Sequence, residues 1–124
     1  MLLPSSPQSS GLARAAIRGV CVAAHLTEGV SDTASLLTSE LVTHACQSGG
    51  RAVMMAAAVR GAQLHVSVTG GDSGRPTSSR PSAVGDRDLQ GRSLLLVSSL
   101  ATRWGTRPRA PHGKALWFEL EPVR

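Results

Sequence analysis

The chain has 124 residues, 41% hydrophobic and 17% charged, which is the length of one compact domain and a composition that excludes wholesale disorder. No apolar run approaches the roughly 20 residues that span a bilayer, and Met1 to Ser10 lacks the basic start and long apolar stretch of a secretory leader, so the expectation is a cytoplasmic protein with no membrane partner. The net charge of +5 is unevenly placed: four basic and four acidic residues cancel between Met1 and Gly74, and nine basic residues oppose four acidic ones beyond it. These arginines are scattered and have no stacking aromatics interleaved with them, which fits a solvated basic face or an acidic protein partner better than direct nucleic-acid binding. Cys21 and Cys46 have no metal-ligand spacing and read as free thiols in a reducing compartment. With no Tyr, one Phe and two Trp, the core has to be built from Leu, Val, Ala, Ile and Met.

Residues 1–10 (MLLPSSPQSS) read as a flexible tail with no convincing strand, ahead of a single domain over 11–124. From Leu12 to about Ala24, the recurrence of Leu12, Ala16, Val20 and Ala23 predicts an amphipathic helix with that stripe inward. A second helix follows, with Ser31 or Asp32 as its N-cap and Gly49-Gly50 as its stop. At 100° per residue, Ala34, Leu37, Leu41, Val42 and Ala45 fall on one side of it, and Glu40, Thr43, His44 and Gln47 gather on the other. Residues 52–59 and 63–69 flank Arg60-Gly61-Ala62 and predict a hairpin, its second strand marked by alternation of Leu64, Val66 and Val68 with polar residues. Gly70 to Gln90 is rich in Gly, Ser and Pro and longer than most connections, the pattern of a lid or a disordered loop. Gly91 opens a short helix with Leu94, Val97 and Leu100 or Ala101 inward. Residues 104–107 and 114–120 then form a second hairpin, with Leu116, Phe118 and Leu120 alternating against Ala115, Trp117 and Glu119. The expected fold is α/β: a two-layer sandwich in which a mixed, mainly antiparallel sheet is covered on one face by about three helices.

Gly71-Asp72-Ser73-Gly74-Arg75-Pro76 resembles the nucleophile segment of chymotrypsin-like serine proteases, and Thr43-His44-Ala45-Cys46 their histidine segment. That family needs two β-barrels to assemble its triad. His44 falls instead in a predicted helix, only 29 residues before Ser73 in a chain of half the required length, so the reading is rejected.

Three further segments, in order, resemble the anti-sigma-factor serine kinases, small histidine-kinase-like ATPase domains of the Bergerat fold that are abundant in actinobacteria. Ser39-Glu40-Leu41-Val42-Thr43-His44-Ala45 is similar to their motif helix, and Gly91-Arg92-Ser93-Leu94-Leu95-Leu96-Val97 to their second glycine box. Arg103-Trp104-Gly105 with Gly113 to Leu120 is similar to their closing hairpin. The resemblance covers roughly residues 12–121. It implies ATP and Mg²⁺ as cofactors, a lid over about 70–90, phosphoryl transfer to a serine of an anti-anti-sigma factor, capture of a sigma factor, and a homodimer. By position, Glu40 is the catalytic acidic group that orients or deprotonates the attacking hydroxyl, and Gly91, Arg92 and Ser93 present backbone N–H groups to phosphate.

The departures bear on function. His44 stands where the family has an Asn that ligates Mg²⁺ through oxygen, and imidazole nitrogen is a poor ligand for that hard cation. Gly70 stands where the family has the Asp that accepts from the adenine amino group, and Asp72 replaces it only after a register shift. Ser93 replaces a glycine in the phosphate box, adding a Cβ but also a hydroxyl donor. Loss of one buried charge-assisted hydrogen bond to adenine costs about 1.5–3 kcal/mol, roughly ten- to a hundredfold in affinity. The expectation is therefore a regulatory protein that acts by binding a sigma factor or an anti-anti-sigma factor, with ATP binding weakened or lost. The alternative is an active ATP-dependent serine protein kinase. His25, His65 and His112 have no ligand-like spacing, so no structural metal is expected.

Overall fold

A computed structural model describes residues 1–47, 52–71, 95–108 and 114–122. In chain order these form β1 (Leu2–Pro4), α1 (Ser9–Ala23), α2 (Glu28–Gln47), β2 (Ala52–Arg60), β3 (Gln63–Gly71), a helical segment α3 (residues 95–100), β4 (Arg103–Pro108) and β5 (Lys114–Leu120). The strands make one five-stranded sheet in the order β1-β2-β3-β5-β4, with every neighbouring pair antiparallel. The α/β architecture is thus as expected, and the sheet is antiparallel throughout its described pairs.

The two hairpins follow from alternation and turn chemistry. Gly61 takes φ +58 at the first of two turn positions and Ala62 stays outside the left-handed region, the pattern of a type II′ turn that matches the twist of its strands. Alternation sends Leu3, Val53, Met55, Leu64, Val66, Val68, Phe118 and Leu120 to one face, all buried. There they meet Ala13, Ile17 and Cys21 of α1, Ala34, Leu37, Leu41 and Val42 of α2, and Val97 of α3 in a single core. Helix α1 lies over β2, and α2 crosses β2, β3 and β5.

Three local readings are corrected. The expected loose tail contains β1, which pairs Leu3 with Val53 and buries Leu3; a strand of three residues is too short to show a period. Ser9, whose hydroxyl donates to the Pro4 carbonyl, then starts α1. The buried stripe of α1 is Ser9, Ala13, Ile17 and Cys21. Leu12 and Ala23 of the expected stripe are exposed: the helix is apolar on both flanks, and the flank that turns inward is the one carrying Ile17 and Cys21, while at the surface Arg14 donates to Ser39 Oγ at 2.9 Å and Arg18 pairs with Asp32 at 2.9 Å. Finally, α2 begins at Glu28: the Val30 N–H donates to Thr27 Oγ1 at 3.2 Å, so Thr27 is the N-cap, while Ser31 is buried and Asp32 is engaged by Arg18. Gly49-Gly50 lies outside the described residues.

A Schellman-type closure ends α1. His25 N–H donates to Val22 O at 3.1 Å and Leu26 N–H to Cys21 O at 2.9 Å, with His25 at φ +58. Burial pushes the Cys21 thiol above its ordinary pKa, partly opposed by a hydrogen bond with Ser31 and the nearby Arg18 charge, so this thiol is a core group.

Candidate functional site

Helix α2 sorts the expected site residues by flank. Its Ala34, Leu37, Leu41, Val42 and Ala45 are buried, as their spacing required, and the Ser39 and Asp32 contacts fix the flank that faces α1. Glu40 and His44 project from the opposite flank. Both are half-buried, and four residues at 1.5 Å per residue set them about 6 Å apart along the axis. His44 lies within a regular helix, and Ser73 of the protease-like segment lies outside the described residues.

The far end of the sheet meets this end of α2. Ser5 Oγ donates to the Cys46 carbonyl at 3.2 Å, Pro4 stands opposite Ala52, and Ala52 stands opposite Gly71. The C-terminal turns of α2, carrying His44, are therefore tied to the sheet end where β3 closes with Gly70. Gly70 is opposite Val53 on the helix-covered face, and a Cβ built on it meets nothing within 4 Å among the described residues. The position has open space and no side chain.

Thr43 and Gln47, grouped with Glu40 and His44 by the helical projection, have another setting. With Cys46 they line a cleft of about 420 Å³ whose other wall is Ser5, Ser6, Pro7 and Ser10. The sequence did not signal this cleft, because its second wall depends on β1 docking at the sheet edge. Asp72, Ser73, Gly91, Arg92 and Ser93, with most of the expected lid, lie outside the described residues.

At the position where the resemblance expects an oxygen ligand for Mg²⁺ the chain has the His44 imidazole, whose nitrogen is a poor donor for that hard cation. What the described site offers is one carboxylate, one imidazole and an open glycine position at a helix–sheet rim. The chain matches no protein-family model and no curated protein.

Proposed function

We propose that this chain is a regulatory binding domain of the Bergerat type, similar to the anti-sigma-factor serine kinases, which holds a sigma factor or an anti-anti-sigma factor and has weakened or lost its hold on ATP and Mg²⁺. The observation that carries this reading is Gly70. It stands near the end of β3, opposite Val53, where the resemblance calls for an adenine-binding carboxylate, and it carries no side chain. The imidazole of His44 in place of a hard oxygen ligand supports the same conclusion. Binding a protein partner needs neither residue.

The open space also makes the reading testable by restoration. The double substitution His44→Asn with Gly70→Asp introduces an oxygen ligand and a carboxylate, and the added Cβ at position 70 meets nothing within 4 Å among the described residues. It is expected to create Mg²⁺-dependent ATP binding that the natural chain lacks. Glu40 is the observation favouring the second reading, an ATP-dependent serine kinase, since it keeps the acidic group one turn before His44. Phosphorylation of an anti-anti-sigma factor by the natural chain, abolished by Glu40→Ala, is the result that establishes that alternative.

A further inference from the structure

The helices cover one face of the sheet, and the other face carries an unusual side-chain pattern. A solvated antiparallel sheet face ordinarily presents polar residues. Here the outer row along β1 and β2 is apolar: Leu2 is 65% exposed and stands opposite Met54, itself 46% exposed, and Ala56 and Ala58 continue the row in the open. Across β3 the character changes. Trp117 stands opposite Ser67 and Gly105, and its indole lies over Gly105, where a Cβ would sit 3.0 Å from Cζ2. His65 stacks on the indole with centroids 5.5 Å apart, and the Arg107 guanidinium lies 5.6 Å from it.

The basic side chains of this face differ in their commitments. Arg103 is held by Glu119 at 2.7 Å and by Glu121, and His65 lies 3.0 Å from Glu119. Among the described residues, none of the ion pairs on this face uses Arg107. Its charge is presented on an aromatic platform, across β3 and β5 from an exposed apolar row of the kind that marks an interaction surface. From β2 to β4 is three strand spacings, about 14 Å, close to the 10–12 Å diameter of one helix.

We propose that this open sheet face docks one amphipathic helix of a protein partner, its apolar side on Leu2, Met54 and Ala56 and its carboxylates directed to Arg107. Charge complementarity selects that occupant. A phosphate backbone would meet Glu119 and Glu121, and the only described indole of this face is already stacked by His65 and Arg107. A second copy pairing through the same face offers Arg107 only carboxylates already held by Arg103. The surface lies on the opposite side of the sheet from Glu40 and His44, so it stands or falls independently of the nucleotide reading.

The test uses the full chain carrying Trp104→Phe, which leaves Trp117 as its indole reporter, with two synthetic helical peptides of about 18 residues, roughly 27 Å long. Both have Leu and Ala on one side; one has Glu on the other side and its counterpart has Lys. Saturable binding of the Glu peptide, read by Trp117 fluorescence, is expected. Arg107→Glu and Met54→Lys should each weaken it by about tenfold or more, and Arg107→Glu should gain affinity for the Lys peptide. Circular dichroism checks that each variant is folded, and because Arg107 is exposed its variant alone suffices. Equal binding of both peptides, binding of neither, or indifference to Arg107→Glu overturns the proposal. So does sedimentation of the natural chain as a dimer that Met54→Lys dissociates, which would make a second copy the occupant.

Discussion

At the scale of single residues, backbone conformation and charge pairing give separable effects. His25 occupies the left-handed region at φ +58 where a Schellman closure prefers glycine. A β-carbon there costs about 1 kcal/mol, so His25→Gly should stabilise the fold by about that amount, measured as a higher urea midpoint with an unchanged slope. Glu119 is held below its ordinary carboxylate pKa of 4.5, first by the Arg103 hydrogen bond and then by that of His65. A depressed carboxylate contributes stability that is fully present above its unfolded pKa and lost as pH falls through the lower folded value. Glu119→Gln should therefore lose less stability than the natural chain between pH 7 and pH 3, as read by denaturant titration at both pH values.

At the scale of elements, β1 closes the molecule. Leu3 is 1% exposed and shares the core with Val53 and Ile17, although it belongs to a strand of only three residues. Leu3→Ala should cost about 2–5 kcal/mol, the range for a fully buried leucine, and should loosen the Ser5 to Cys46 link that ties α2 to the sheet end. The contrast with α2 explains how much of the fold was legible. Helix α2 has a polar flank, so 100° periodicity identified its buried residues; β1 has too few residues for any period. The inward face of α1 was not legible because Leu12, Ala15, Gly19, Val22 and Ala23 are apolar or small yet exposed, and two apolar flanks compete until the packing of Ile17 and Cys21 into the core decides between them. Both hairpins were legible from the alternation in β3 and β5 and, in the first, from a glycine at the turn; β2 and β4 do not alternate strictly.

At the scale of the whole molecule, the two faces of the sheet differ: one is covered by the helices and the other is open. On the helix-covered face, Glu40 and His44 share one flank of α2, as the helical projection required, and Gly70 lies near the end of β3 opposite Val53. The Thr43 cleft and the Trp117 and Arg107 surface were not legible: the first requires β1 to dock, and the second requires the pairing of β3, β5 and β4 to bring His65, Trp117 and Arg107 together. Regulation by binding uses surfaces of this kind and makes no demand on nucleotide chemistry. The most direct measurement is calorimetric titration of the natural chain with Mg²⁺·ATP, repeated with ADP and without metal. A folded sample giving no saturable heat at affinities tighter than about 1 mM, equivalent to about −4 kcal/mol, is the predicted result; Mg²⁺-dependent binding in the micromolar range would contradict it.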